Sequence, residues 1–558
     1  MADVSSFLPP RAHCVVEFGC GRGETGAHFL RMAPSCRYVG IDTDREALRE
    51  AEEVLSQTAI GSPAVFSFAS HGITRPDVIC VQGRAMDELS APLLRELAGL
   101  LAPGGQLVLA LRNASSFRNV LRLFAGRPQG GCQLTLSRLL SLLKDAGLSA
   151  RVQVVQQKED AALREDAGVR RAVADLVELC RARALPLEAE GWTAGWVVRA
   201  FKEPPSHPFF LYTVIGENIA CDRVRIREPE SFLSTCPEFS AYTVDGRQGI
   251  DLSLGEKYPQ CILLRQRMLF GTVKNALGYV QQARSRGYLL GYELDDDPHH
   301  WEAQHVKAHY LDFRAAHFVQ VSTEPLAAEL RQYNPHVAVF RNELRELPSK
   351  RVLSPVDAPV TIFFGALNRE QEWPELMPVL NAASKRYGEK LRFLVLADRK
   401  FYEALETPHK EFLADQRFMG RFVPYPIYQA ALHRSDIALL PLHDTAFNRK
   451  KSDLKFIESA GHGAVVLASP TVYADTVRDG RTGFLYHNLR EFRQYLSLLI
   501  EDRSRRVETA AAAYRYVAEE RLLSQHYEER IAFYQEALAH ASEWDAELVA
   551  RIEGERQA

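Results

Sequence analysis

Short apolar runs alternate with amphipathic stretches along most of this chain. In the first 200 residues the apolar runs are 14–18, 38–41, 78–81, 106–111 and 195–201. The stretches between them, such as 46–55, 91–101 and 134–146, carry apolar residues at helical spacing. Strands that alternate with helices in this way predict a parallel sheet covered by helices.

The alternation restarts twice, each time after a segment that contains several prolines. After 202–207 the apolar runs are 209–214, 261–264, 288–294 and 318–321, and after 348–359 they are 361–364, 393–397, 437–440 and 465–468. From about Asp502 the chain is rich in Arg, Glu and Ala with helical periodicity. We therefore predict an α/β protein with domains at residues 1–203, 204–347 and 348–501, followed by C-terminal helices over 502–558.

The composition and the charge of the chain argue against several classes of protein. The 558 residues carry 68 basic and 71 acidic side chains, so the charge gives no reason to expect a nucleic-acid partner. No apolar run reaches 18 residues, and the N-terminus lacks a signal-peptide pattern, so we expect a cytoplasmic protein without a transmembrane segment. Peripheral membrane association stays open. The nine cysteines form no C-x-x-C pair, which indicates reduced thiols and no structural metal site.

The first apolar run leads into a glycine-rich turn. Gly19, Gly21 and Gly23 stand between the first predicted strand and a helix from about Thr25. Glycines there let the backbone turn tightly and approach a ligand closely. The next strand ends at Asp42, where a carboxylate can accept hydrogen bonds from ribose hydroxyls. This pattern by itself suits either a dinucleotide or S-adenosylmethionine.

Three details favour S-adenosylmethionine. Position 24 is Glu, whereas the dinucleotide-binding form G-x-G-x-x-G needs glycine there. This glutamate therefore also disfavours an NAD-dependent sugar oxidoreductase. Glu17 precedes the first glycine by two residues, and an acid there can face the cationic methionine end. Residues 100–111 (LLAPGGQLVLAL) predict a helix, a Pro-Gly-Gly turn and a strand.

With these motifs, residues 13–200 resemble the class I S-adenosylmethionine-dependent methyltransferases. The resemblance implies a Rossmann-like domain in which Gly19, Gly21 and Gly23 line the cofactor loop and Asp42 holds the ribose. Such enzymes usually carry an acid after the third strand, but the corresponding AVFSFASHGIT contains none. A non-catalytic scaffold that binds the acceptor or a partner is therefore the alternative for this domain.

In the third predicted domain, residues 348–501, the informative feature is a group of cations beside a predicted helix start. Lys450 and Lys451 follow the strand at 437–440, and a helix opens near Ser452. Positive side chains beside a helix N-terminus suit a diphosphate, because backbone N–H groups add to their charge. Lys455 and Glu458 lie on this helix, where a carboxylate can accept from ribose or sugar hydroxyls.

The segment KFIESAGHGAVVLAS resembles the nucleotide-sugar motif of group 1 glycosyltransferases, which have the two-lobed GT-B architecture. Glu458 matches the second glutamate of the family's E-x-x-x-x-x-x-x-E pattern, but the first position holds Lys450. We expect Lys450 or Lys451 to face the diphosphate instead. The segment FFGALNREQEW occupies the place of the family's phosphate loop, with Arg369 as a candidate cation. The nucleotide-sugar-binding residues implied are Gly365, Arg369, Lys450, Lys451, Ser452, Lys455 and Glu458.

Three adjacent acids end the run YLLGYELDDD at 288–297, which is similar to a segment of bacterial surface-glycan transferases. Asp296 is the candidate base if the geometry of the acceptor permits. Lys455 and Glu458 are the other candidate catalytic residues. We expect no bound metal, because GT-B enzymes seldom need one. The tail after Asp502 is expected to cross back to the first GT-B lobe, as the family's last helix does.

The leading hypothesis is a bifunctional transferase: an N-terminal Rossmann-like methyltransferase domain, a two-lobed GT-B glycosyltransferase with two further Rossmann-like domains, and a helical tail. It would use S-adenosylmethionine, and would transfer a sugar from a nucleotide-sugar donor to a glycan or protein acceptor. The alternative is a glycosyltransferase with a non-catalytic N-terminal scaffold.

Overall fold

The described residues form three β-sheets with surrounding helices, and these lie in two compact units. The computed structural model describes residues 4–113, 116–117, 119, 134–155, 165–182, 193–205, 207–216, 220–351, 355–365, 369–414 and 423–556. One unit comprises Met1–His207 and Ser234–Glu238, and the other comprises Pro208–Leu233 and Phe239–Ala558. The predicted α/β class with Rossmann-like units is confirmed.

The first unit contains a seven-stranded sheet. Its strands are β1 (Cys14–Phe18), β2 (Arg37–Asp42), β3 (Gln57–Ile60), β4 (Val78–Val81), β5 (Gln106–Arg112), β6 (Ser149–Val155) and β7 (Gly195–Phe201). The order is β3-β2-β1-β4-β5-β7-β6, with β7 antiparallel to both of its neighbours and the other pairs parallel. This antiparallel insertion separates the sheet from the 3-2-1-4-5-6 order of dinucleotide-binding folds. The switch point lies between β1 and β4.

The helices of this unit are Glu24–Met32, Arg45–Ala51, Ala91–Leu100, Leu136–Asp145 and Ala167–Ala182. Side chains cap four of them: Asp44 accepts from the N–H groups of the second helix, and Ser90, Thr135 and Asp166 do so for the third, fourth and fifth. Such caps satisfy backbone donors that have no partner within the helix.

The second unit begins with a six-stranded parallel sheet. Its strands are β8 (Phe209–Ile215), β9 (Phe239–Asp245), β10 (Cys261–Gln266), β11 (Tyr288–Leu294), β12 (Phe318–Val321) and β13 (Val337–Val339), in the order β13-β12-β11-β10-β8-β9. The second sheet of this unit is also parallel. It contains β14 (Val360–Gly365), β15 (Leu391–Leu396), β16 (Lys410–Leu413), β17 (Ile437–Leu440), β18 (Val465–Ala468) and β19 (Phe484–Leu485), in the order β16-β15-β14-β17-β18-β19.

Helices surround both sheets of the second unit. They are Ala220–Asp222, continued by the π-helical Arg223–Arg227 and by Glu228–Leu233, then Val273–Arg284, Glu302–Lys307, Leu311–Arg314, Glu324–Leu330, Met377–Tyr387, Arg399–Ala404, Tyr425–His433, Ala446–Arg449, Leu454–Gly461, Leu489–Glu501, Arg503–Glu520, Leu523–Ala539 and Ala541–Ile552.

The predicted helical tail returns to the β8–β13 sheet, as expected. Leu548 and Ile552 join the apolar core that β8 and β10 form, and the Tyr534 hydroxyl donates to Gln320 Oε1 on β12 at 2.8 Å. Across the part of the chain that the structure describes, every helix is too short or too polar to cross a membrane.

Among the described strands, the six that the apolar pattern does not predict lie at sheet edges: β3, β6, β9, β13, β16 and β19. An edge strand has only one neighbour and is often partly solvated, so it needs no continuous apolar run. On β6, for example, exposed positions alternate with less exposed ones. The thirteen interior strands are buried almost throughout, which is why their apolar runs stand out in the sequence.

Candidate functional site

The glycine loop after β1 is tight at one end and open at its middle. Gly19, Gly21 and Gly23 have φ values of 78°, 53° and 80°, in the left-handed region that favours glycine. A Cβ on Gly19 would lie 2.2 Å from the backbone oxygen of Gln82, whereas a Cβ on Gly21 would meet nothing within 4 Å. The loop therefore packs against the chain after β4 at Gly19 and leaves Gly21 approachable.

Asp42 lies at the end of β2 beside this loop. Its Oδ2 accepts from the Gly21 N–H at 2.8 Å, and its Oδ1 accepts from the Asp44 N–H at 3.0 Å. The carboxylate is partly exposed and has further acceptor capacity. The structure thus brings together the loop and the acid that the sequence singled out, at the switch point of the sheet.

Glu17 lies beneath the loop and is fully buried. Its carboxylate accepts from the Tyr38 hydroxyl at 3.0 Å and from the Gln82 side-chain amide. Burial raises the pKa of Glu17 to about 7, against the effect of these hydrogen bonds. Because both oxygens are bound inside the protein, the contact with a methionine group that the sequence suggested stays a prediction. Nothing in the local sequence marks Gln82 as a partner.

Three cations converge at the carboxyl ends of strands in the β14–β19 sheet. Lys455 lies on the first turn of the predicted helix, and its Nζ donates to the carbonyl of Gly365, the last residue of β14, at 2.9 Å. Burial lowers the pKa of Lys455 against the opposing charge of Glu458, and the nearby charges of Arg369 and Lys451 lower it further. Arg369 Nη1 in turn donates to Asn448 Oδ1 at 3.3 Å. The structure therefore assembles four of the predicted residues.

Lys450 and Lys451 face different partners. Lys450 Nζ lies 3.0 Å from Asp297 Oδ1 and pairs with Glu329 as well. Burial opposes the charged form, but the bonds to Glu329 and Asp297 raise the pKa of Lys450 overall. Lys451 instead lies near Arg369, and its Nζ donates to Asp296 Oδ1 at 3.3 Å. Of the two lysines expected at the diphosphate, the structure thus brings Lys451 into the cation cluster.

The acidic run after β11 is neutralised by cations. Asp295 pairs with Arg267 at 2.7 Å, while Asp296 contacts Lys451 and lies 3.7 Å from Arg267. The third acid, Asp297, pairs with Lys450. The carboxylates of Asp297 and Glu329 and a ring nitrogen of His299 lie within 4.8 Å of one another, a geometry that can hold a metal ion. The Lys450 ammonium contacts all three of these groups.

Glu458 is buried one turn after Lys455. Its two oxygens accept from the hydroxyls of Tyr425 and Tyr428, at 2.9 and 2.7 Å. Burial raises the pKa of Glu458, whereas the Lys455 charge and the tyrosines lower it. The tyrosines are three residues apart on one helix, but no local signal links them to Glu458. A contact between Glu458 and a ribose or sugar hydroxyl stays a prediction.

Ser452 connects the start of this helix to the β8–β13 sheet. Its Oγ accepts from Asn342 Nδ2 at 2.8 Å, and Asn342 Oδ1 accepts from Arg225 at 2.9 Å. Arg225 is 1% exposed and pairs with Glu293 at 2.6 Å. A cavity of about 860 Å³ opens beside Lys451 and Ser452.

Part of the chain matches a known family and a curated relative. Residues 378–536 match the model of a family described as glycosyl transferase-like. The ribosomal protein L11 methyltransferase of Idiomarina loihiensis is 34% identical over 107 residues, which are 18% of this chain and 34% of that protein. The match thus spans about a third of the relative's length.

Solved structures resemble separate parts of the chain. Anabaena Alr3699/HepE, solved with UDP and glucose, is 15% identical, and the match covers 60% of this chain and all of that one with a TM-score of 0.41. A TehB-like S-adenosylmethionine-dependent methyltransferase from Corynebacterium glutamicum is 16% identical over 36% of this chain and 88% of that one, with a TM-score of 0.23. The C-terminal part of this chain carries a glycosyl transferase-like domain, and its N-terminal region is similar to a methyltransferase.

Proposed function

We propose that this chain transfers a sugar from a nucleotide-sugar donor to a glycan or protein acceptor. The observation that carries the proposal is the cluster of Arg369, Lys451 and Lys455 beside a helix N-terminus at the carboxyl ends of parallel strands. Ligands bind at this edge of open parallel sheets. Lys451 and Lys455 also lie within the residues that match the glycosyl transferase-like family.

The cluster suits the step in which the bond between sugar and diphosphate breaks. Negative charge then builds on the departing phosphate oxygens, and fixed cations stabilise it without having to reorganise. Lys455 is held in place by the Gly365 carbonyl, and the helix N-terminus beside it adds the partial positive charge of its backbone N–H groups. Asp296, which contacts Lys451, is the candidate base for the proton of the acceptor hydroxyl.

The test replaces Lys455 by alanine and measures release of nucleoside diphosphate from a panel of nucleotide sugars in the presence of acceptor glycans. We expect kcat/KM to fall by about 100- to 1,000-fold, the usual cost of removing one preorganised charge-stabilising donor. Lys410→Ala is the matched control, because Lys410 Nζ also donates to backbone carbonyls, those of Tyr402 and Leu405. Equal activity of the two variants would contradict the assignment.

The N-terminal unit is proposed to bind S-adenosylmethionine for a methyl transfer. The bound cofactor would supply an electrophilic methyl group. Its fit rests on Gly21, where a Cβ would meet open space, and on Asp42, which is partly exposed beside it. Calorimetric titration of S-adenosylmethionine into the full chain should give micromolar binding. Asp42→Asn should weaken it by about 1–3 kcal/mol, and Glu53→Gln, at an exposed site, should leave it unchanged.

A non-catalytic scaffold is the second candidate for this unit. The chain after β3, residues 61–72, contains no carboxylate to contact an adenine. Absence of heat when S-adenosylmethionine is titrated into a demonstrably folded chain would favour the scaffold. Glycosyl transfer would then be the sole chemistry.

A further inference from the structure

A second cavity, of about 390 Å³, lies at the opposite edge of the β14–β19 sheet from the cation cluster. Of the lining residues, Asp436 immediately precedes β17 and Gly463 lies two residues before the start of β18, so the cavity lies at the amino ends of these strands. Lys455 and Gly365 lie at the carboxyl ends. The cavity is therefore separate from the proposed donor site.

One face of helix Arg503–Glu520 forms a wall of this cavity. Residues 503, 506, 507, 510, 511, 514 and 515 line it, and their spacing of three and four places them along one side of the helix. The middle of this face is small and apolar, with Ala510 and Ala511, which leaves room for a ligand. Arginines stand at both ends of the face.

The lining is strongly basic. Lys350 and Arg351 join Arg503, Arg506 and Arg515, and the one acidic residue among the described lining residues is Asp436. Five cations against one carboxylate leave an excess of four positive charges, in a chain whose net charge is −3.

The single carboxylate is already engaged. Asp436 Oδ1 accepts from Arg351 at 2.9 Å, and Oδ2 accepts from the Thr361 N–H at 2.8 Å. Arg506 is fixed by the Leu499 carbonyl at 2.6 Å. Burial lowers the pKa of Arg506, and the neighbouring Arg503 and Arg351 lower it further, although the charges of Asp436 and Asp502 oppose this. These positive charges lie close enough to repel one another, and a bound anion would reduce the repulsion.

We propose that this cavity binds a phosphorylated ligand, with its phosphate or diphosphate group among the arginines and its adjoining part against Ala510 and Ala511. Guanidinium groups match phosphate oxygens in a forked, charge-assisted geometry. The volume lies in the range of small-molecule pockets. A soluble phosphate compound and an anionic lipid headgroup share this chemistry.

The test measures binding of inorganic pyrophosphate to the full chain by calorimetry, in a Lys455→Ala background that weakens the proposed donor site. The variant is Lys350→Glu/Arg515→Glu, at two exposed lining residues, and the matched control is Arg490→Glu/Arg493→Glu, at exposed positions of helix Leu489–Glu501. We expect the lining variant to weaken binding by roughly tenfold or more, because it reverses two nearby charges, and the control by less than about twofold.

Flotation with phosphatidylcholine vesicles, with and without phosphatidylglycerol, identifies the source of the phosphate group. Flotation that needs phosphatidylglycerol and is lost in the lining variant indicates a lipid headgroup, whereas pyrophosphate binding alone indicates a soluble ligand. The proposal is overturned if the lining and control variants behave alike in both measurements. Sugar transfer by Lys455→Ala reports on the donor site alone, so failure of one proposal is distinguishable from failure of the other.

Discussion

Replacing Glu17 by glutamine tests whether a buried carboxyl weakens the first unit at neutral and alkaline pH. Glu17 has no exposed surface, and burial raises its pKa to about 7 from an ordinary value of 4.5. Because the folded pKa lies above the unfolded one, the stability that protonated Glu17 contributes is complete below about pH 4.5. It is lost as the pH rises through about 7.

The size of the effect follows from the two pKa values. A rise from 4.5 to about 7 corresponds to about 3 kcal/mol, since each pKa unit is worth about 1.4 kcal/mol. Glutamine is neutral, keeps an oxygen for the Gln82 amide and can donate to the Tyr38 oxygen. We allow about 1 kcal/mol at every pH for weaker hydrogen bonds, so the variant should gain about 2 kcal/mol above pH 8 and lose about 1 kcal/mol at pH 4.5.

Pulse-labelling hydrogen exchange across a urea series measures the stability of the first unit separately from that of the second unit. The unfolding midpoint of the peptide that contains β1 is compared at pH 4.5 and pH 8.5 for the parent and for Glu17→Gln. Glu53→Gln, which removes an exposed carboxylate from the same unit, is the control and should shift neither midpoint. Equal midpoint changes at both pH values, or no gain at pH 8.5, would refute the reasoning.

Two further predictions concern the loop and the inter-sheet ion pair. Gly19→Ala should destabilise the first unit by more than about 2 kcal/mol, because the added Cβ would meet a backbone oxygen. Gly21→Ala should destabilise the unit by only about 1–2 kcal/mol, because of the positive φ, but should abolish S-adenosylmethionine binding. Unfolding and calorimetry check both, and equal stability of the two variants would contradict the loop geometry. Lys450→Met leaves Asp297 and Glu329 without their ammonium partner, so we expect it to bind Mn²⁺ in calorimetry more tightly than the parent does. An unchanged affinity would show that Lys450 does not fill this group of ligands.

The interior of each sheet was predictable because parallel strands covered on both faces need unbroken apolar runs. Strands such as β4, β11 and β17 were predicted at their observed bounds for this reason. Edge strands such as β6 were not predicted, because contact with solvent permits polar residues, and these interrupt the apolar pattern.

The candidate sites, like the strands, were in part predictable from the sequence and in part not. Sequence spacing was enough to place Gly19, Gly21 and Asp42 together, because a strand, its turn and the end of the adjacent strand are neighbours in any sheet of this kind. It also located Lys455 at a helix start. The division of Lys450 and Lys451 between different partners could not be foreseen, because Asp297 and Asp296 lie more than 150 residues earlier in the chain.

The sequence by itself thus determined the alternation of strands and helices, the glycine loop and the identity of the candidate cations. Only the tertiary structure decided which carboxylates neutralise which cations, since long-range ion pairs leave no periodic signal in the chain. It also decided that Glu17 and Glu458 are bound by buried partners, and that Arg503–Glu520 lines a basic cavity with residues from three other parts of the chain.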